Sequence, residues 1–240
     1  MTEASPHTTT RSQGHTVDTI ETDYAAHVAT LGERFARALD GVADGAVIHS
    51  GSGHVAFLDD RQYPFIPNPH YKNWIPGPHT EDCLLVVRPG HRPRLLFHQP
   101  DDYWYLPPED PNGFWTREFD IDVVRSLDAV SNLLGDTSRL AYIGEHPEAA
   151  SAWGLTQHNP SSVLTTLHFD RAYKTGYELA CMREANRVAA AGHVAARQAF
   201  EAGASEFEIQ ADYLAATAHR EQETPYESIV ALNEHAAVLH

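Results

Sequence analysis

Cysteine is almost absent from this chain: its 240 residues contain two, Cys83 and Cys181. They lie far apart and match no metal-binding or redox spacing, so neither chemistry has a foundation here. The expectation is a pair of buried thiols in a reducing cytoplasm. Positive charge is scarce as well, with 17 Lys and Arg against 33 Asp and Glu and a net charge of −16. An acidic surface with no basic stripe repels phosphates, which argues against a nucleic-acid partner. No apolar run approaches the length of a membrane span. The opening Met1 to Pro6, and the Thr/Ser/His stretch after it, lack both the basic and the apolar region of a secretory signal. Residues 1–17 read as a disordered polar tail. Several catalytic motifs are also missing. Gly51-Ser52-Gly53 has neither the further glycine nor the following helix of a dinucleotide loop. No G-x-S-x-G, H-E-x-x-H or phosphate-binding lysine loop is present.

What is present is ordinary for a soluble globular protein: 42% hydrophobic and 21% charged residues, enough chain for one large or two modest domains. Tyr24, Val28, Leu31, Phe35 and Leu39 recur at helical spacing, and Gly41 follows as a C-terminal cap. Ala46 to His49 and Val55 to Leu58 read as strands. Prolines 64, 67, 69, 76 and 78 exclude regular structure over residues 60–80, while Tyr63, Phe65, Tyr71 and Trp74 in that loop call for burial. Cys83 to Val87 and Arg94 to His98, split by Arg88-Pro89-Gly90, predict a hairpin. Phe119 to Val123 and Leu140 to Ile143 are further strands, with helices over 127–134 and near Glu148. Such alternation predicts an α/β domain over residues 18–173.

A second unit is expected over residues 174–240. Thr175-Gly176-Tyr177-Glu178 has the form of a capping box and opens a helix to about Glu201. Ser205-Glu206-Phe207-Glu208 repeats the pattern and opens another. Ile229 to Leu232 and Ala236 to Leu239, joined by Asn233-Glu234-His235, read as a pair of apolar strands. An unpaired apolar strand invites aggregation, so the segment reads as the start of an α+β domain whose remainder is missing. The region after residue 205 is then expected to be less protected than the first domain.

Candidate chemistry is sparse. Most of the sixteen histidines are scattered singly and are expected at the surface. His235 and His240 are five apart and would face opposite sides of one strand, so they do not grip one ion together. His240 is either a proton-transferring imidazole or a satisfied strand-end residue. Asp59-Asp60 suits binding of an ammonium group by one carboxylate, or a turn. In Asp101-Asp102-Tyr103-Trp104-Tyr105, packing accounts for the aromatics, although an exposed Trp104 would suit a binding lip.

Longer segments carry a resemblance. Phe57-Leu58-Asp59-Asp60, Tyr63-Pro64-Phe65, Asn68-Pro69 and Lys72-x-Trp74-x-Pro76 are similar to the N-terminal domain of bacterial prolidases. So are Asp102-Tyr103-Trp104, Ala141-Tyr142-Ile143-Gly144, Tyr173-Lys174-Thr175, Tyr177 to Ala185, and Pro225-Tyr226 through Asn233-Glu234 to His240. The chain resembles the Xaa-Pro dipeptidases, a group that includes the organophosphorus acid anhydrolases. The resemblance implies a creatinase-like N-terminal α/β domain followed by the truncated start of a pita-bread catalytic domain. It implies a homodimer through the N-terminal domain, cytoplasmic, acting on dipeptides with C-terminal proline. It also implies two Mn2+ per subunit, held by two aspartates, a histidine and two glutamates. Those ligands all lie beyond the position His240 matches, so this chain is expected to bind no metal and to be inactive alone. His240 matches the family's active-site histidine, and Leu239 and Tyr226 match substrate-pocket positions. Asp60 and Trp104 match positions that reach the other subunit's active site, where the aspartate would bind a dipeptide's free ammonium. The alternatives are a non-catalytic dimerisation or peptide-binding module of the same superfamily, and organophosphate hydrolysis as a side activity.

Overall fold

The first helix, α1 (Thr16–Leu39), forms where the apolar spacing places it, and buries Tyr24, Leu31, Phe35 and Leu39. Gly41 follows in the left-handed region at φ 68°, where a side chain would be strained. The computed structural model describes residues 16–77 and 80–237. Of the tail expected over 1–17, residues 1–15 lie outside the described residues, and Thr16 and Val17 already belong to α1.

The strands are β1 (Gly45–His49), β2 (Leu84–Val87), β3 (Arg94–His98), β4 (Asp120–Val124), β5 (Leu140–Ile143) and β6 (Gln157–His158). They form one six-stranded sheet in the order β4-β3-β2-β1-β5-β6. β2 pairs antiparallel with both β1 and β3, as the expected hairpin requires, while every other pairing is parallel. Alternation along the strands fills two cores. Ala46, Ile48, Leu85, Leu95, Phe97 and Ile143 pack toward α1 and α5 (Ser161–Arg171). Val47, Leu84, Val86, Leu96 and Tyr142 pack on the opposite face toward α3 (Val130–Leu134) and α4 (Pro147–Ala152). The sheet is thus covered on both sides, which accounts for strands that read as continuous apolar runs.

Three expectations need correction in this unit. Residues 55–58 are not a strand: one isolated bridge, Val55 to Gln62, is all that forms there. Phe57 and Leu58 are each 91% exposed on an arm that joins no sheet edge. The proline-rich stretch does contain regular structure, the short helix α2 (Pro69–Trp74). Its first residue is a proline, whose missing N–H costs nothing at that position, and Asn68 caps it by accepting from the His70 N–H at 2.9 Å. Tyr71 and Trp74 are buried as their aromaticity demands, whereas Tyr63 is exposed. Most histidines were expected at the surface, and His27, His49 and His70 are nonetheless buried.

The chain divides into two compact units, Met1–Tyr177 and Glu178–His240. Within the first, the 173–177 segment is fastened to α1. Arg34 donates to the Tyr173 carbonyl at 2.7 Å, and Tyr177 meets Tyr24 edge-on at 5.0 Å. The His27 Nε2–H donates to the Asn73 carbonyl, which leaves Nδ1 to accept from the Thr175 hydroxyl, both at 2.8 Å. Helix α6 (Gly176–Glu201) leads from this segment, and α7 (Glu206–Thr217) lies in the second unit. The expected capping box at Ser205 and Glu208 is present. Cys83 is buried but Cys181, on α6, is exposed, contrary to expectation.

Among the described residues the expected terminal strand pair does not form. Residues 225–232 are irregular, and Asn233–Ala237 is a 3-10 helix. Without a partner strand, backbone donors here turn to side chains: Leu232 N–H to Glu206 at 2.7 Å and Ser228 N–H to Glu221 at 2.5 Å. Residues 238–240, which include the end of the second expected strand, lie outside the described residues.

Candidate functional site

Because β1 and β3 both run antiparallel to the β2 between them, they point the same way, and β5 runs parallel to β1. Their carboxyl ends therefore share one edge of the sheet, the usual place for a site in an open α/β layer. Two excursions leave that edge: the arm over residues 51–67 after β1, and the loop over residues 99–113 after β3. Their roots are two strand spacings apart, about 10 Å.

The arm is built on the Val55–Gln62 bridge, with the Ala56 N–H donating to Arg61 O at 2.9 Å and the Tyr63 N–H to His54 O at 2.8 Å. Asp59 closes the turn by accepting from the Arg61 N–H at 3.0 Å, and that hydrogen bond holds its carboxyl below the usual range. Of the two readings of Asp59-Asp60, the turn is thus what Asp59 does. Asp60 beside it is exposed.

The second loop is anchored by Gln99, whose amide donates to Pro108 O at 2.5 Å and to Asp110 at 3.0 Å. The Asp102 carboxylate accepts from the N–H groups of Trp104 (2.6 Å) and Tyr105 (2.8 Å), a side-chain turn that presents the aromatics outward. Packing does not account for this cluster: Tyr103, Trp104, Tyr105 and Leu106 are all exposed, Trp104 by 83%. The exposed-lip alternative is the geometry found.

Beneath the roots lies a polar cluster that no sequence motif announced. His49 ends β1 fully buried, with Trp153 edge-on at 5.3 Å. The Tyr142 hydroxyl accepts from the His146 N–H at 3.2 Å, so its proton can go to His49 Nδ1 at 3.0 Å. That leaves the proton of His49 on Nε2, 3.3 Å from Asp82 Oδ1 but too poorly aligned for a good hydrogen bond. Ser52 completes the cluster by donating to Asp82 Oδ1 at 2.5 Å. Burial raises the Asp82 carboxyl, but the nearby His49 Nε2–H and the hydrogen bond from Ser52 outweigh it and hold the group below the usual range. Burial likewise lowers His98, 4.0 Å from Asp82, more than that carboxylate raises it. Ser52 donates to the carboxylate, and His49 Nε2 faces the same Asp82 oxygen, so the cluster fastens the start of the arm to the segment before β2. Its signal in the sequence was faint: polar residues at the end of β1 and just before β2.

The remaining candidates fall in the second unit. Tyr226 is 82% exposed, and Leu239 and His240 lie outside the described residues. His235 is exposed and lies 3.1 Å from Glu206. Among the described residues there is no group of three or more His, Cys, Asp or Glu that could hold a metal. No helix among them is long and apolar enough to cross a membrane.

A sequence profile described as "Xaa-Pro dipeptidase, N-terminal domain" matches residues 22–169, more than half of the chain. The chain belongs to that family. A second profile, "Metallopeptidase family M24", matches residues 180–240. Xaa-Pro dipeptidases of Shewanella sp. (strain W3-18-1) and Shewanella putrefaciens are each 47% identical over 226 residues, 93% of this chain. The chain spans about half the length of these curated relatives, 51% in both cases. Among solved structures, the low-pH form of aminopeptidase P from E. coli aligns with a TM-score of 0.56 at 17% identity, over 87% of this chain and 54% of its own. Proline aminopeptidase P II from Yersinia pestis gives 0.55 at 15%, over 84% and 51%. At such identities the likeness is one of fold: a mixed α/β unit followed by part of an M24 domain.

Proposed function

We propose that this chain is the recognition-bearing N-terminal portion of a cytoplasmic Xaa-Pro dipeptidase, which cleaves dipeptides with proline at the carboxyl end. What carries the reading is the family match over residues 22–169 together with the placement of Asp60 and Trp104 on excursions from one sheet edge. In a closed cleft, the Asp60 carboxylate would receive the free ammonium of a dipeptide, a charge-assisted pair that a longer or blocked substrate could not make. Trp104 and its aromatic neighbours would form the lip. Substrates of this kind need a dedicated pocket because proline's nitrogen carries no N–H in the peptide bond.

A homodimer is part of the same proposal. Phe57, Leu58 and Ile66 on the arm, and Tyr103 to Leu106 on the loop, are large apolar groups left exposed on neighbouring excursions. Such groups suit an edge that covers the active site of a second subunit. Within the second unit we propose that Tyr226, Leu239 and His240 contribute to the substrate pocket of a catalytic domain beginning near residue 174. The manganese pair expected of the whole enzyme does not fit the described residues, which supply no three-ligand cluster, so no hydrolytic step is assigned to them.

The test is an Asp60→Asn substitution in the protein whose sequence contains these residues, assayed on glycyl-proline and on its N-acetylated form. Loss of the ion pair should reduce kcat/KM for the free dipeptide by roughly tenfold or more. The discrimination against the acetylated form should shrink with it. Unchanged discrimination would remove Asp60 from the site.

A further inference from the structure

The loop that carries Trp104 leaves the sheet through Gln99, whose backbone and side chain are tied to different parts of the molecule. The backbone extends the β3–β4 pairing by one step: its N–H donates to Val124 O at 2.9 Å, and its carbonyl accepts from the Arg125 guanidinium at 3.0 Å. Arg125 also lies 3.6 Å from Asp101. Gln99 is therefore fixed to the rigid end of the sheet. Its side chain crosses the neck of the loop, donating to Pro108 O at 2.5 Å and to Asp110 Oδ1 at 3.0 Å. Those partners are nine and eleven positions further on, where the chain returns. One side chain thus joins the two limbs of a compact surface loop.

Fold stability alone does not account for a glutamine at this place. Gln99 is 5% exposed, and its Oε1 is buried with no hydrogen-bond partner among the described residues. Turning the amide over would aim that oxygen at two acceptors, Pro108 O and the Asp110 carboxylate. A buried carbonyl without a partner is destabilising, and an unbranched apolar side chain of the same length would strand none. Asp110 is exposed, so water would replace the amide there at little loss. What the glutamine adds is a pair of donors that hold the neck closed.

Between the tie points lie Tyr103, Trp104, Tyr105 and Leu106, all exposed. The Asp102 carboxylate accepts from the Trp104 N–H, and Tyr103 meets Trp104 edge-on at 4.9 Å. Pro100 on one shoulder and Pro107 and Pro108 on the other restrict φ. The Asp102 turn orients Trp104 within the loop, and the Gln99 amide orients the loop on the sheet. An aromatic side chain held in place before contact loses less conformational entropy on binding.

We propose that Gln99 is a positioning residue: its amide closes the neck of the 99–110 loop and so sets Trp104 in its place at the lip of a second subunit's cleft. The proposal rests on the lip role given above to Trp104 and adds the residue that fixes it. Gln99 itself touches no substrate.

Two measurements test it. In the 240-residue chain labelled with fluorotryptophan, the four tryptophans give four fluorine resonances, and Trp104→Phe assigns one of them. Gln99→Met keeps the side-chain length and removes both donors. The Trp104 signal should narrow and move toward that of the free amino acid, while those of the buried Trp74, Trp115 and Trp153 hold. A Trp104 signal unmoved by Gln99→Met, in a protein with native circular dichroism, would overturn the proposal. The second measurement uses the protein whose sequence contains these residues. There Gln99→Met should raise KM for glycyl-proline by roughly fivefold, the worth of about one net hydrogen bond, with kcat nearly unchanged. In a Trp104→Ala background the same substitution should add little, because the two residues act in series. An equal rise in both backgrounds would mark a general loosening of the fold and refute the positioning role. If Trp104→Ala raises KM and Gln99→Met does not, this proposal fails alone; if neither does, the lip reading fails with it. Should Gln99→Met not fold, Gln99→Glu takes its place and should produce both effects by repelling Asp110. Asp110→Asn returns a donor to that pair and should reverse them in part; no reversal would overturn the proposal.

Discussion

Replacing Asp82 with Asn removes one charge from the polar cluster while keeping shape and a left-handed backbone. Asp82 has φ 58°, a conformation that Asn tolerates and most residues do not. The Asp82 carboxylate accepts from Ser52 at 2.5 Å and lies 3.3 Å from His49 Nε2, with side-chain exposures of 19% for Asp82 and 0% for His49. A hydrogen bond to a charged group contributes about 1.5–3 kcal/mol. Asn keeps one carbonyl acceptor for Ser52, and the site is not fully dry, so the expected loss is about 1–2 kcal/mol. The assay is urea unfolding followed by tryptophan fluorescence. All four tryptophans, Trp74, Trp104, Trp115 and Trp153, belong to the first unit, so the signal reports that unit alone. The pH dependence has a definite sign. The folded Asp82 carboxyl lies below its ordinary value, so its contribution is complete above the unfolded value of about 3.9 and is lost as pH falls through the folded one. The stability gap between wild type and Asp82→Asn should therefore be full at pH 7 and close in stronger acid. A gap under about 0.5 kcal/mol at pH 7, the scatter of ordinary surface substitutions, would refute the fastening role.

Three further outcomes follow from the fold. A Cβ added at Gly45 would sit 2.8 Å from Val87 O and 2.9 Å from Leu140 Cδ2, so Gly45→Ala should cost about 1–3 kcal/mol by overpacking, read in the same urea assay. His27→Leu leaves the Asn73 carbonyl without its imidazole donor and should lower stability by about 1–3 kcal/mol, with thermal unfolding as the check. Amide exchange should find residues 225–237 far less protected than β1, β2 and β5, since they hold no regular strand or α-helix; equal protection would contradict the irregular tail.

The sheet was legible because its strands are buried on both faces, so apolar runs such as Ala46 to His49 and Leu140 to Ile143 stood out. The arm at 55–58 misled for the opposite reason. Val55, Phe57 and Leu58 carry the composition of a strand, but composition does not say whether a sheet edge is there to receive it. The terminal Ile229 to Leu232 failed in the same way, the Leu232 N–H turning to Glu206. Helix α5 and the short β6 were missed because Ser161-Ser162 and Thr165-Thr166 dilute the helical pattern and two residues carry no period. For the candidate site, Asp60 and Trp104 came from resemblance, and what the chain alone could not reveal was that parallel β1 and β3 bring their loops to one edge. The Asp82 cluster unites residues 30 to 93 positions apart, from Ser52–Asp82 to His49–Tyr142. No local spacing encodes such pairs.

The central claim is that these residues carry the recognition edge of an Xaa-Pro dipeptidase without its metal centre. The direct measurement is an assay of the purified 240-residue chain on glycyl-proline with added manganese, together with metal analysis after gel filtration. The account predicts no hydrolysis above buffer and no stoichiometric manganese. Robust turnover, or retention of manganese in whole-number ratio to the chain, would contradict it.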